Sequence, residues 1–150
     1  MNGIEHGSFQ GTSWSKEGSG PPLILVHGLG MNRQMWQWQM ESLSNHFTVI
    51  YYDLLGHGKS INPKIPCQLS QFTRQLLTLM DGLNLECCTL IGFSLGGLIV
   101  QDFALNHPKK VNTLVILNTA HARTRIERNE VLVRVQQAEE FGPASTLEAA

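Results

Sequence analysis

Four continuous runs of apolar residues alternate with segments of helical periodicity, and this alternation constrains the fold of the chain more than any other feature. The runs are residues 23–26, 47–52, 88–91 and 111–117. Strands that are buried on both faces of a parallel sheet have this character. In the first intervening segment, apolar residues recur at helical spacing at Trp36, Met40, Leu43 and Phe47. The order of elements predicts an α/β fold, with a mostly parallel sheet and helices on both of its faces.

The remaining segments complete this prediction. Leucines and a phenylalanine at helical spacing predict a second helix over residues 69–83, and residues 95–105 are apolar nearly all round, as in a buried helix. Residues 1–20 contain one weak hairpin with its turn at residues 16–22. The last segment is charged, helical around residues 127–140, and turns at Gly142-Pro143.

Length and charge narrow the classes of function. The chain has 150 residues, of which 42% are apolar and only 15% charged, so it is expected to form one compact, well-packed domain. The net charge is −1 without a basic stripe, which argues against a nucleic acid or a membrane as partner. The number of cysteines is odd and two of them are adjacent, which favours reduced thiols. The N-terminus does not resemble a signal peptide, so a cytoplasmic location is expected.

The segment Ile91-Gly92-Phe93-Ser94-Leu95-Gly96-Gly97 carries the strongest chemical signal. A strand, then Gly-x-Ser-x-Gly, then a helix is the context of a nucleophile elbow, in which a strained turn exposes the serine oxygen. Glycines at 92 and 96 are required because the flanks of such a turn pack closely. We therefore predict Ser94 as the nucleophile, with the Leu95 N–H as one donor to the oxyanion.

A second donor is predicted in the loop after the first apolar run. This loop reads His27-Gly28-Leu29-Gly30, and the N–H of Leu29 is the candidate. Gly28 and Gly30 are interpreted as scaffold of the loop. His27 is interpreted in the same way, as a residue that holds the turn by hydrogen bonds and not as a proton carrier.

Three motifs in order resemble the α/β-hydrolase superfamily over about residues 20–120. They are "LILVHGLG", "YYDLLGHGKS" and "LIGFSLGGLIVQDFALNHP". The resemblance implies an oxyanion loop, a structural loop that contains Asp53, Gly56, His57 and Gly58, and the nucleophile elbow. A serine nucleophile implies the esterase- and lactonase-like branch, in which a histidine accepts the serine proton and a carboxylate holds that histidine.

The resemblance also implies that only the N-terminal half of the fold is present. In the family, the acid and then the histidine follow the serine in chain order. No histidine or acid after Ser94 occupies a catalytic position of the family, and this holds for Asp102, His107 and His121. The acid and the histidine of the triad are therefore expected outside this chain. Residues 1–122 are interpreted as the N-terminal part of the core and residues 123–150 as the start of a helical lid or a tail. The strand at residues 111–117 is then expected at an exposed edge, open to self-association or to a complementing chain.

Two functional hypotheses follow. The first is a hydrolase of carboxylic esters or related acyl bonds in a small-molecule substrate, with lactones, thioesters and carbon–carbon bonds left open. The alternative is an inactive truncated or split hydrolase that acts as a binding protein. Neither requires a cofactor, and the histidines and cysteines have no zinc-type spacing. Met35, Trp36 and Phe93 are candidates for lining an apolar acyl pocket.

Overall fold

The computed structural model describes residues 3–63 and 67–141. Its strands are β1 Glu5–Phe9, β2 Thr12–Gly18, β3 Pro22–Val26, β4 Thr48–Tyr52, β5 Cys88–Phe93 and β6 Val111–Leu117. Its α-helices are α1 Gln37–Leu43, α2 Leu69–Gly82, α3 Leu95–Asn106 and α4 Arg125–Phe141. Short 3-10 helices span Arg33–Trp36 and Pro108–Lys110.

The strands form one sheet in the order β1-β2-β4-β3-β5-β6. Strands β4, β3, β5 and β6 run parallel to one another, whereas β2 pairs antiparallel with β4, and β1 antiparallel with β2. The prediction of a mostly parallel sheet is confirmed. Because β3, β4 and β5 are parallel and adjacent, the residues that follow them lie at one edge of the sheet. These residues are His27, Asp53 and Ser94.

Alternate residues of the central strands fill two cores, one on each face of the sheet. On one face, Ile24, Ile50 and Leu90 pack with apolar residues of α2 and α3. On the other face, Leu25 and Val49 pack with a smaller cluster from the first 3-10 helix and α1. Both faces of β3 and β4 are therefore buried, and β5 is buried on one face and half-buried on the other, which explains why the apolar runs are continuous and not alternating.

Two predicted local features are wrong in detail. The hairpin turn lies at Gln10-Gly11, where φ is 45° and 78°, and not at residues 16–22. Two left-handed residues in succession are what a two-residue hairpin turn requires. The helix predicted from Trp36 onward begins as the 3-10 turn Arg33–Trp36 and continues as α1 only to Leu43.

The chain divides into two compact units, Met1–Thr119 and Ala120–Ala150. The first contains the whole sheet, and the described part of the second contains α4. The interpretation of residues 123–150 as the start of a lid stays a prediction, and the predicted turn at Gly142-Pro143 lies outside the described residues. Among those residues, no helix is both long and apolar enough to cross a bilayer.

A pair of leucine substitutions tests the assignment of the main core. Leu76 on α2 is fully buried in the first core, whereas Leu105 on α3 is 83% exposed. We expect Leu76→Ala to lower the free energy of unfolding by about 2–5 kcal/mol. The same change at Leu105 is expected to alter it by less than about 0.5 kcal/mol. Urea unfolding followed by circular dichroism measures both, and equal losses would contradict the assignment.

Candidate active site

Ser94 occupies the single-residue turn between β5 and α3. Its backbone has φ 53° and ψ −114°, a strained conformation for a residue with a side chain. The glycines on either side allow this turn, because a Cβ at Gly92 would overlap the carbonyl of Gly96 and a Cβ at Gly96 would overlap the carbonyl of Val26. The sequence segment therefore adopts the backbone of a nucleophile elbow.

Both backbone groups of Ser94 are held by hydrogen bonds. Its N–H donates to the carbonyl of Leu117 at the end of β6 (3.0 Å), and its own carbonyl accepts from the N–H of Gly97 (3.0 Å). The side chain is half-buried, and no hydrogen bond to its hydroxyl is found in residues 3–63 and 67–141. The elbow thus fixes the backbone and leaves the Ser94 oxygen available.

The loop after β3 lies directly against Ser94. A Cβ at Gly28 would stand 3.2 Å from the Ser94 Cβ and 3.1 Å from the Phe93 ring, so a side chain here would fit only if its neighbours moved by a few tenths of an ångström. The loop turns back on itself through a hydrogen bond from the Met31 N–H to the Gly28 carbonyl (3.3 Å). Gly30, with φ 72°, adopts the left-handed conformation that this turn needs.

The two N–H groups predicted as oxyanion donors have no acceptor within the described parts of the chain. Leu95 is the first residue of α3, and the N–H of a first helical residue has no partner inside its own helix. The side chain of Leu29 is 73% exposed, so any contribution of this residue to chemistry has to come from its backbone. Unpaired N–H groups on two neighbouring segments are suited to bind a negatively charged oxygen.

His27 is fully buried, and both of its ring nitrogens are occupied. Nδ1–H donates to the carbonyl of Gly28 (2.8 Å), and Nε2 accepts the N–H of Leu54 (3.0 Å). Burial lowers the pKa of His27 below the usual 6.5. The ring is therefore neutral and joins the loop after β3 to the segment after β4.

His57 makes a second connection between the same two loops. Its Nε2 accepts the N–H of Gly30 (3.1 Å), and its Nδ1–H donates to the carbonyl of Leu55 (2.9 Å). The rings of His57 and His27 meet edge to face, with their centroids 5.2 Å apart. The contact of His57 with the oxyanion loop was not predicted from the sequence, since 27 residues separate it from Gly30.

Asp53 is a structural carboxylate. It is buried, and its two oxygens accept the N–H groups of Arg33 (2.9 Å) and Lys59 (2.9 Å), while the Arg33 guanidinium lies 3.4 Å away. A Cβ at Gly58 would overlap this carboxylate. Asp53 therefore holds the loops around the site together and has no free oxygen directed at Ser94.

None of the candidate acids and histidines after Ser94 makes a hydrogen bond to it within the described residues. Asp102 accepts a hydrogen bond from the hydroxyl of Thr73 (2.5 Å) and ties α3 to α2. His107 follows α3 and packs on the ring of Phe103, with centroids 4.9 Å apart. His121 is exposed in the second unit. These residues therefore do not supply the acid or the histidine of a catalytic triad with Ser94.

The interpretation of Trp36 as a pocket residue is wrong. Trp36 is only 5% exposed and lies in the second core with Leu23, Leu25 and Met40. Its helical spacing placed it on the apolar face of its segment, and that face packs against the sheet. Among the described residues, no group of three or more histidine, cysteine, aspartate or glutamate side chains is arranged to bind a metal ion.

A family model described as the alpha/beta hydrolase fold matches residues 21–143. This chain belongs to the α/β-hydrolase family. The relatives include (E)-2-((N-methylformamido)methylene)succinate hydrolase of Acinetobacter baylyi, which is 35% identical over 81% of this chain and 46% of the relative. They also include 3-oxoadipate enol-lactonase 2 of the same organism, 33% identical over 78% of this chain and 47% of that protein.

Solved structures of this family agree with the fold. The enol-lactonase of Burkholderia xenovorans superposes with a TM-score of 0.84 and 30% identity, over 97% of this chain and 57% of that one. An esterase from Exiguobacterium antarcticum gives a TM-score of 0.80 with 25% identity, over 89% of this chain and 54% of that one. The α/β-hydrolase chain described here spans about half the length of the curated relatives it matches.

Substitution of Gly96 tests the close packing at the elbow. A Cβ at Gly96 would overlap backbone atoms of β3, whereas nothing lies within 4 Å of a Cβ at Gly3. We expect Gly96→Ala to cost about 1–3 kcal/mol of stability, because a neighbouring backbone yields little space. Gly3→Ala serves as the control and is expected to be neutral. Thermal unfolding compares the two, and an unchanged melting temperature in Gly96→Ala would contradict the geometry.

The neutral state of His27 predicts a pH dependence of stability. Burial lowers the pKa of His27 in the folded state, so the unfolded chain binds the proton more readily. The stabilisation is therefore fully present above the unfolded pKa of 6.5, and it is lost as the pH falls towards the folded-state pKa. We expect the free energy of unfolding to decrease from pH 7 to pH 5, and His27→Gln to weaken this decrease. The matched control is His46→Gln at an exposed histidine, which should retain it. Identical pH profiles for wild type and His27→Gln would show the assignment to be wrong.

Proposed function

We propose that this chain supplies the nucleophile and the oxyanion hole of a hydrolase that cleaves carboxylic esters or related acyl bonds. The observation that carries the proposal is the strained turn at Ser94, whose hydroxyl has no hydrogen bond in the described residues and which is flanked by the loop and the helix that carry the unpaired N–H groups of Leu29 and Leu95. When the Ser94 oxygen attacks a carbonyl carbon, negative charge develops on the carbonyl oxygen, and these N–H donors would bind it.

In the proposed reaction, Ser94 Oγ attacks the acyl carbon as its proton passes to a histidine, and the carbonyl oxygen becomes an oxyanion. Collapse of this intermediate expels the leaving group, which takes up that proton, and leaves an acyl-enzyme. Water then attacks the ester carbon, restores the Ser94 hydroxyl and releases the acid. We propose that the histidine and its supporting carboxylate lie outside this chain, since no described acid or histidine hydrogen-bonds to Ser94. The scaffold residues His27, Gly28, Gly30, Gly92 and Gly96 hold the donors and the nucleophile in place.

The proposed substrate is a small molecule with an acyl bond, and the proposed reaction uses no metal or cofactor. Two of the relatives are named for lactone hydrolysis, which supports a lactone or a related ester as the first substrate class to assay. Three free cysteines, Cys67, Cys87 and Cys88, support a reducing, cytoplasmic setting for the protein.

We further propose that strand β6 receives the complementing part of the hydrolase. In the described sheet β6 pairs only with β5, and its Ile116 and Leu117 side chains are 43% and 40% exposed. The matched relatives are about twice as long as this chain. A further strand, on the same polypeptide or on another chain, would cover this edge and bring the missing triad residues.

The alternative is a binding protein without turnover. The observation that favours it is that the described residues offer Ser94 no base. In that case a second copy of the chain, or a different partner, would cover the β6 edge. The two proposals differ in whether Ser94 is activated, and this difference can be measured directly.

The test is reaction of the native protein with a fluorophosphonate, followed by intact mass and peptide mapping. We expect one adduct on Ser94 in a protein whose mass exceeds 16.7 kDa, the mass of the chain described here. Ser94→Ala should abolish the adduct and lower kcat by roughly 10⁴-fold or more. Ser70→Ala, at an exposed serine on α2, is the matched control and should label normally.

A protein of 16.7 kDa that carries no adduct would favour the binding alternative. Size-exclusion chromatography with light scattering then distinguishes its partners, because a homodimer indicates self-association and a mixed complex indicates a complementing chain. Full esterase activity in Ser94→Ala would refute the hydrolase proposal itself.

A further inference from the structure

The Thr119 hydroxyl lies over the backbone of the elbow. Its oxygen is 3.1 Å from the carbonyl oxygen of Ser94 and 3.3 Å from the carbonyl oxygen of Leu117, so its proton can be donated to either or shared between them. The carbonyl of Leu117 is also the acceptor for the Ser94 N–H (3.0 Å). Ser94, Leu117 and Thr119, at the ends of β5 and β6, therefore form one hydrogen-bonded group.

The local backbone brings Thr119 to this position. Asn118, between Leu117 and Thr119, has φ 46°, a left-handed conformation that asparagine tolerates better than most residues. This residue bends the chain immediately after β6, and the bend places the Thr119 side chain within hydrogen-bond distance of the elbow.

Gly97 accommodates Thr119. A Cβ at Gly97 would overlap the Thr119 hydroxyl and would stand 2.9 Å from the Thr119 Cβ. Gly97 lies outside the Gly-x-Ser-x-Gly pattern, which needs glycine only at positions 92 and 96. The second glycine of "LGG" is therefore explained by the Thr119 side chain and not by the elbow itself.

We propose that Thr119 is a positioning residue for the nucleophile. Its hydroxyl and the Leu117 carbonyl together bind both backbone polar groups of Ser94 and hold the strained turn in its reactive conformation. The inference rests on the proposed function, in which Ser94 attacks the substrate. Thr119 touches neither the Ser94 hydroxyl nor the N–H groups of the oxyanion hole, so it acts through the backbone of Ser94 alone.

The kinetic test compares Thr119→Val with Thr119→Ser in the complete hydrolase. Valine keeps the shape and β-branching of threonine but removes the hydrogen bond, whereas serine keeps the hydroxyl. We expect Thr119→Val to lower kcat about five- to tenfold with KM unchanged, because one hydrogen bond that orients the nucleophile is lost. Thr119→Ser is expected to retain at least about half of wild-type kcat. An unchanged kcat in Thr119→Val overturns the inference, and a matching loss in Thr119→Ser assigns the effect to packing and overturns it as well.

A second measurement does not depend on turnover. Hydrogen exchange of the Ser94 amide reports the bond to Leu117, and we expect Thr119→Val to speed this exchange about tenfold relative to wild type. The amide of Leu90, in the middle of β5, is the internal control and should be unchanged. Absence of a fluorophosphonate adduct in wild type would overturn the proposed function, whereas an unchanged Ser94 amide would overturn the role of Thr119.

The pair of Gly97 and Thr119 offers an independent check. Gly97→Ala alone is expected to lower kcat more than tenfold, because its Cβ displaces the Thr119 hydroxyl and the turn beneath it. In the Thr119→Gly background both the hydroxyl and the Cβ of residue 119 are absent, and the same Gly97→Ala change should cost less than threefold. Equal losses in both backgrounds would show that the two residues are not coupled.

Discussion

The start of α3 lies so close to β3 and β5 that no side chain fits between them, and the rest of the site depends on this approach. Gly92 and Gly96 meet neighbouring carbonyl groups where a Cβ would be. The strained backbone of Ser94 costs on the order of 1–3 kcal/mol. Ile99 and Phe103, fully buried further along α3, each contribute about 1.5–3 kcal/mol by leaving water. Burial of the helix therefore exceeds the strain at its first turn, so the elbow is stable without help from a substrate.

Around this turn, buried polar groups fix the loops before any ligand arrives. Two histidines, His27 and His57, connect the loop after β3 with the loop after β4, and Asp53 accepts backbone N–H groups from both sides. Each buried polar atom in these bonds has a partner, so the arrangement avoids the cost of unpaired groups in the interior. The N–H of Leu29, by contrast, is left without a partner in the described structure. In the proposed function, this N–H would bind charge that develops during the reaction without any rearrangement of the loop.

Much of this arrangement follows from sequence because its causes are local. The apolar run at residues 111–117 gave the bounds of β6, and the glycines around Ser94 predicted the elbow. Other features depend on contacts between residues far apart in the chain. No local sequence pattern predicts the hydrogen bond from Gly30 to His57. The same is true of the close packing of Thr119 against Gly97. The hairpin turn was misplaced because Gln10-Gly11 lacks the Asn or Asp that usually marks such turns, while residues 16–22 are richer in Gly and Pro.

The bond from the Ser94 N–H to the carbonyl of Leu117 couples the strained turn at Ser94 to β6. The strand and the helix on either side of Ser94 lie before residue 107, whereas this acceptor and the Thr119 hydroxyl belong to the end of β6 and the segment after it. Any fraying of β6 from the described sheet would therefore break this bond and release the backbone of Ser94. The backbone conformation of Ser94 is in this way tied to the pairing of β6 with β5.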